Sequence, residues 1–229
     1  MRIGGFLKFT LIDYPGKIGA VIFTQGCNFR CGYCHNPELV DPKKFVDPLD
    51  QKEIFNFLKK RKNQLEAITI TGGEPCLHQD LPEFCNQIKK LEYSIKLDTN
   101  GSQPKMVKKL LSKKLIDYIA MDIKAPIEKY SKITLCKISS QDIRNTIKQI
   151  VNSKIDYEFR TTFAKELLKI NDFKKIGQEI KGAEKYVLQK FQPSKSLRPE
   201  FQKLKNYSDQ EIQKIVNLLK PQINQILVR

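Results

Sequence analysis

Short apolar runs alternate with amphipathic segments along this chain, and the alternation limits the folds open to it. Each run is rich in β-branched or aromatic residues, as strands are, and the runs occupy residues 18–24, 66–71, 93–99, 116–124, 157–163 and 185–191. Strands that alternate with helices predict a parallel sheet with right-handed crossovers. Six strands fit an open barrel better than a closed one of eight, so we predict an α/β fold, an open partial (β/α)6 barrel of parallel strands.

The segments between the runs carry helical patterns. Apolar residues at helical spacing predict helices within 49–62 and 80–91. A third helix is predicted to begin at Ser139, with Asp142 three residues later, and the last at Ser208, where Glu211 completes a capping-box pattern. In sheets built from such units, ligands bind at the carboxyl ends of the strands, which is where functional residues are expected.

No proline-rich or glycine-rich linker and no internal repeat divides the 229 residues. We therefore predict a single domain, with a core at about 18–192 and a C-terminal helical extension at 193–229. No apolar run approaches the ~20 residues of a membrane span, and the first residues lack the features of a signal peptide. These features predict a cytoplasmic protein, whose thiols stay reduced and favour metal binding over disulfides.

The net charge of +16 raises the question of a nucleic-acid partner. Most lysines fall at helix ends or on polar helix faces, as on a solvated surface, and no arginine cluster or aromatic-interleaved basic stripe stands out. We therefore expect no nucleic-acid site and no membrane partner. The basic charge could instead steer an acidic protein partner toward the chain.

Three cysteines lie close together in CNFRCGYC, directly after the first of the six runs. Cys27, Cys31 and Cys34 are near enough in sequence for one loop to wrap around one metal centre. A structural zinc ion takes four ligands and would need His35 or a distant cysteine as the fourth. An iron–sulfur cube held by three thiolates keeps one iron free of protein ligands, where a substrate can bind. Both metal centres remain open on the residues alone.

TGGEP, residues 71–75, follows the second run. Gly72 and Gly73 let the backbone approach a ligand closely, and Glu74 offers an acceptor for an ammonium group through a charge-assisted hydrogen bond. By itself this stretch also suits an ordinary turn at the end of a strand.

LDTNG (97–101) and MDIK (121–124) end the next two runs. Asp122 and Lys124 are two residues apart on one strand and so share a face, which favours a joint role. Asp98 and Asn100 are equally suited to a turn before Gly101.

The spacing Cys-x3-Cys-x2-Cys, with Tyr33 before the last cysteine, resembles the signature of the radical S-adenosylmethionine (SAM) superfamily. The resemblance implies a 4Fe–4S cluster on Cys27, Cys31 and Cys34, with the methionine part of SAM on the open iron. An electron from the cluster would cleave the sulfonium and give a 5′-deoxyadenosyl radical, which abstracts a hydrogen atom. The predicted single domain would then be a radical SAM domain.

The same resemblance implies which residues bind the cofactor. The TGGEP stretch matches the motif for the methionine amino group, and Lys124 would meet the carboxylate. Asp98, Thr99 and Asp122 would help to hold a monovalent cation nearby. Gln192 stands where some relatives have a histidine on the ribose and could substitute as a hydrogen-bond partner. The full implied set is Tyr33, Gly72, Gly73, Glu74, Asp98, Thr99, Asp122, Lys124, Arg160 and Gln192.

Residues 4–40 resemble anaerobic ribonucleoside-triphosphate reductase activating proteins, a subgroup that activates glycyl-radical enzymes. This resemblance implies that the chain removes a hydrogen atom from a glycine of a partner reductase, with a flavodoxin or ferredoxin as electron donor. Two alternatives stay open: a radical SAM enzyme that acts on a small molecule such as a modified-base precursor, and a basic zinc-binding module that contacts nucleic acid. Cys76, Cys85 and Cys136 are too scattered for a second cluster and are expected to be buried apolar residues.

Overall fold

A computed structural model of the chain, which describes residues 1–193 and 195–229, contains one sheet of eight strands. The strands lie side by side in chain order. They are β1 (Ile3–Thr10), β2 (Gly19–Thr24), β3 (Ala67–Gly72), β4 (Ser94–Thr99), β5 (Tyr118–Asp122), β6 (Asp156–Phe163), β7 (Lys185–Lys190) and β8 (Gln225–Val228). β1 is antiparallel to β2, and all later neighbours are parallel. Within the described residues no ladder joins β8 to β1, so the predicted open α/β barrel is confirmed.

The six predicted strands correspond to β2–β7, whereas β1 and β8 were not predicted. β1 contains two glycines, Gly4 and Gly5, and exposes Leu7 and Phe9, so it lacks the buried apolar run of a central strand. β8 has only four residues, which are exposed or half-buried. The segment predicted to be a helical extension therefore contains a strand as well as a helix, because β8 pairs with β7 and extends the sheet.

In the described part of the chain, eight α-helices connect or flank the strands: α1 (Pro37–Val40), α2 (Gln51–Lys60), α3 (Leu81–Lys90), α4 (Pro104–Ser112), α5 (Tyr130–Thr134), α6 (Ser140–Val151), α7 (Ile170–Glu179) and α8 (Asp209–Leu219). The four predicted helices are α2, α3, α6 and α8. Ser139 and Ser208 cap α6 and α8 as predicted, with the Ser208 hydroxyl accepting from Glu211 N and the Glu211 carboxylate accepting from Ser208 N. None of the helices among the described residues is long and apolar enough to cross a bilayer.

The two faces of the sheet differ in polarity, and this difference positions the site. Ile95 and Leu97 of β4 and Ile119 of β5 belong to the apolar core that the helices cover. Lys96 and Asp98 alternate with Ile95 and Leu97 along β4 and therefore point to the opposite face. The inner face of the open barrel therefore carries charged side chains that converge near the carboxyl ends of the strands.

Candidate active site

A cleft lies at the carboxyl ends of β2–β6 and brings the candidate residues together. All of the sequence-predicted site residues except Gln192 line it, namely Cys27, Cys31, Tyr33, Cys34, Gly72, Gly73, Glu74, Asp98, Thr99, Asp122, Lys124 and Arg160. They come from five separate strand ends, up to 133 residues apart in sequence (from 27 to 160). The convergence follows from parallel pairing, because it places all of these strand ends at one edge of the sheet.

The cysteine loop leaves β2 through Gly26, whose φ of +100° favours glycine. The Cys27 sulfur accepts a hydrogen bond from the backbone of Phe29, and Cys34 N donates to the carbonyl of Cys31. All three thiols are free of disulfides. Burial raises the pKa of Cys27 to about 12 and that of Cys31 to about 11. Both thiols therefore stay protonated at neutral pH in the absence of a bound metal. Metal binding at this loop would therefore release protons.

The donor set fits a cluster with three protein ligands. Cys76 and Cys85 are fully buried and do not line the cleft, and Cys136 lies outside it. His35 does line the cleft, but its Nε2 lies 2.9 Å from the carbonyl oxygen of Gln192 and its ring stacks on Phe191. Within residues 1–193 and 195–229, no three His, Cys, Asp or Glu side chains are placed to hold a single metal ion.

Tyr33 lies beside the cysteines at the cleft. Its ring is buried, and its hydroxyl faces the Cys31 thiol.

The two glycines of TGGEP join the end of β3 to the cysteine loop. Gly73 N donates to Thr24 O, and Glu74 N donates to Gly26 O, both at 2.8 Å. A side chain at Gly73 would overlap the carbonyl of Gly26, and Gly72 has a φ of +116°. Glycine is therefore required here by close backbone approach and by conformation.

We expect Gly73→Ala to lower the iron content of the protein while its helix content stays nearly unchanged. The reason is that the new Cβ must displace Gly26, the residue before Cys27. Iron and sulfide analysis with circular dichroism would measure both. Gly5→Ala is a matched control in β1, where a Cβ would make only ordinary contacts at 3.4 Å or more. Unchanged iron content in Gly73→Ala would contradict the close packing described here.

Glu74 is fully buried beneath the cleft. Its carboxylate accepts from Cys76 N (3.0 Å), Thr99 Oγ1 (2.8 Å) and Asn100 N (2.6 Å). Burial raises its pKa despite these donors. The Cys76 thiol is a further hydrogen-bond partner of this carboxylate, whose negative charge would attract a cationic group at the cleft.

Five charged side chains form the floor of the cleft and the layer behind it. Register places Arg160 of β6 beside Asp122 of β5, and its guanidinium pairs with Asp122 at 2.9 Å and with Asp98 at 3.2 Å. Lys124 pairs with Asp122 at 2.9 Å, and Lys96 pairs with Asp98. Burial alone would raise the pKa values of both aspartates, but the neighbouring cations hold them below the ordinary value. Three cations face two anions, so this cluster has one net positive charge.

Gln192 does not reach the cleft with its side chain, which is exposed. Phe191 is fully buried after β7 and stacks on His35, so the chain turns with Gln192 directed outward and only its carbonyl facing the histidine. The residue at the cleft wall is thus His35, for which the sequence allowed either a zinc-ligand role or a hydrogen bond within the loop.

Several further residues were not predicted. Phe29, Asn36, Val40, Thr71, Asn100 and Thr162 line the cleft, and Lys96 lies behind it. The C-terminal segment also packs on the cysteine loop: Arg198 N donates to Gly32 O, and the ring of Phe201 fills the space where a side chain at Gly32 would lie. Two sequence signals were available, since Lys96 shares a strand face with Asp98 and Gly32 is a glycine within the loop.

Comparisons with known proteins agree with this geometry. Residues 21–169 match the model of the radical SAM superfamily. A protein of Methanocaldococcus jannaschii, provisionally named a glycyl-radical enzyme activating enzyme, is 33% identical over 99% of this chain and 95% of its own length. A GTP 3′,8-cyclase of Aliarcobacter butzleri is 30% identical over 62% of this chain and 42% of its own.

A solved structure of Streptococcus suis SuiB bound to S-adenosylmethionine has a similar fold. It superposes with a TM-score of 0.68 at 14% identity and covers 91% of this chain. The chain spans about half the length of SuiB, 49%.

Proposed function

This chain belongs to the radical SAM superfamily, and we propose that it activates a glycyl-radical enzyme, with an anaerobic ribonucleoside-triphosphate reductase as its partner. One observation carries the proposal: the three loop cysteines, Glu74 and the two cationic side chains of Lys124 and Arg160 share one cleft. Similarity over nearly the full length to a relative named for glycyl-radical enzyme activation supports this choice of target.

Cys27, Cys31 and Cys34 would hold three irons of a 4Fe–4S cluster. When bound, the cluster and SAM supply a 5′-deoxyadenosyl radical, which takes one hydrogen atom from a glycine Cα of the partner and becomes 5′-deoxyadenosine. The single electron that this requires would come from a reduced flavodoxin or ferredoxin. The partner keeps the unpaired electron on its glycine.

The residues of the cleft would bind the methionine part of SAM by charge. Glu74 lines the cleft, and its negative charge would suit an ammonium group. Lys124 and Arg160 also line it, and their cationic groups would suit a carboxylate. Together with Lys96 behind them, they exceed the charge of Asp98 and Asp122 by one.

The opening of the barrel suits a protein substrate. Since β8 does not pair with β1 among the residues that the structure describes, the sheet leaves a lateral gap through which a loop of the partner could reach the cleft. The formal charge of +16 would attract an acidic partner surface, and this attraction would weaken with salt.

We expect the reduced protein, with SAM and an anaerobic reductase, to produce a glycyl-radical doublet in the electron paramagnetic resonance spectrum and one 5′-deoxyadenosine per radical. The control is the same reductase with its glycine replaced by alanine, which should give no doublet. Accumulation of 5′-deoxyadenosine without a glycyl-radical doublet from the unaltered reductase would contradict the proposal.

A small-molecule substrate is the second candidate, since the chain also resembles a GTP 3′,8-cyclase over part of its length. The same assay tests it if GTP or another purine nucleotide replaces the reductase. Stimulation of 5′-deoxyadenosine formation by the nucleotide alone would favour this candidate.

A further inference from the structure

Lys96 is the buried charge whose role the cleft itself does not explain. Its side chain is 4% exposed, and it lies on the inner face of β4, two residues before Asp98. The ammonium pairs with Asp98 and does not line the cleft. Lysine is rarely buried, because removing an ammonium from water costs several kcal/mol unless a partner compensates. The cost of burying the Lys96 ammonium must therefore be offset by the groups around it.

The surroundings are two aspartates, each of which already faces two protein cations. Oδ1 of Asp98 accepts from Lys96 and Oδ2 from Arg160, while Oδ1 of Asp122 accepts from Arg160 and Oδ2 from Lys124. Each of the four carboxylate oxygens thus has a protein cation. Without Lys96, one oxygen of Asp98 would be buried with no counter-charge.

Thr99 is also hydrogen-bonded within the protein. Its hydroxyl donates to Glu74 Oε1 at 2.8 Å and accepts from Gly101 N at 3.1 Å. Each side-chain oxygen that the resemblance implies for a monovalent cation, on Asp98, Thr99 and Asp122, therefore already has a protein partner.

We propose that the Lys96 ammonium is a built-in counter-cation of the acidic pair, so that this protein needs no alkali-metal ion there. Lys96 is then a positioning residue: it fixes Asp98, which with Asp122 orients Arg160 at the cleft. The inference rests on the proposed function only in treating the cleft as the SAM site. A hydrated alkali ion would have to displace an ammonium already desolvated and in contact with its carboxylate.

The test replaces the ammonium while keeping the apolar stem, with Lys96→Met in the full-length, cluster-loaded protein under anaerobic conditions. Melting temperatures are measured in NaCl, KCl and choline chloride at equal ionic strength, and thallium(I) binding is measured by ²⁰⁵Tl nuclear magnetic resonance. We expect the wild type to melt at one temperature in all three salts and to show no bound thallium. Lys96→Met should melt roughly 10 °C lower in choline, recover part of that loss in KCl or NaCl, and bind thallium.

Two controls separate this role from simple loss of a salt bridge. Lys129→Met removes a lysine from another buried aspartate, Asp172, outside the cleft, and should show no alkali-specific recovery. Lys96→Met combined with Asp98→Asn removes both charges and should also lose the recovery.

Alkali-specific stabilisation or thallium binding in the wild type overturns the proposal, even if Lys96→Met does not fold. A folded Lys96→Met that responds equally to all three salts also overturns it. None of these measurements needs the partner reductase, so they are independent of whether the glycyl-radical assay succeeds.

Discussion

Alanine at Cys27, Cys31 or Cys34 is expected to reduce the iron content from about four per chain to near zero and to abolish SAM cleavage. Each change removes one of only three sulfur donors that line the cleft. The buried surroundings offer no substitute, since His35 is held by Gln192 and Phe191. Iron and sulfide analysis, visible absorption and 5′-deoxyadenosine yield would measure the loss.

The chain supplies matched controls for these substitutions. Cys85 is a fully buried thiol in α3, and Cys136 is half-buried near the end of α5. Cys85→Ala and Cys136→Ala should keep the cluster, as should Cys76→Ala despite its position beside Glu74. If any folded variant of these three lost its iron, the assignment of an iron without a protein ligand would be wrong. One zinc per chain in the wild type would contradict it equally.

The fold was predictable from the sequence because its central strands are unusually clear. β2, β3 and β5 are nearly continuous apolar runs, β4, β6 and β7 are rich in β-branched or aromatic residues, and helical patterns lie between the strands. β1 and β8 are edge strands that are only partly buried, so their sequences lack the apolar pattern of the central strands. Their positions depend on pairing with β2 and β7, which local sequence does not reveal.

The site was predictable wherever one rule applied, that functional residues follow the carboxyl ends of parallel strands. This rule predicts one shared region for Cys27, Glu74, Asp98 and Asp122, whereas Arg160 and Gln192 were expected at the site only from the resemblance. The rule gave no reason to select Lys96, which lies within a strand and pairs with Asp98. The side chain of Gln192 lies outside the cleft, because the direction of the chain after β7 is set by the burial of Phe191.

Arg160→Met is expected to cost about 3–5 kcal/mol of unfolding free energy and most of the SAM affinity. The guanidinium pairs with Asp98 and Asp122, whose side chains are 13% and 30% exposed, so its loss leaves each aspartate with one cation. The cluster of charges also falls from one net positive charge to none, which weakens binding of a carboxylate. Urea unfolding and SAM binding to the cluster-loaded protein would measure the two effects.

The same variant should change the pH dependence of stability. In the wild type the pKa values of Asp98 and Asp122 lie below the unfolded value of about 3.9. The unfolded chain therefore binds more protons in acid, so the stabilisation is complete above about pH 4 and is lost as the pH falls through the lower, folded values. Without Arg160 the folded pKa values rise, because burial is then opposed by fewer cations. Acid unfolding of Arg160→Met should begin at higher pH, by ~1 unit or more.

Arg144→Met is the appropriate control, since Arg144 pairs with Glu179 on the surface at 3.1 Å and is half exposed. Solvent screens that pair, so stability, acid unfolding and SAM binding should all stay close to the wild type. If Arg160→Met behaved like Arg144→Met in all three measurements, the two aspartates would not depend on their cations. The charge arrangement inferred for the floor of the cleft would then be incorrect.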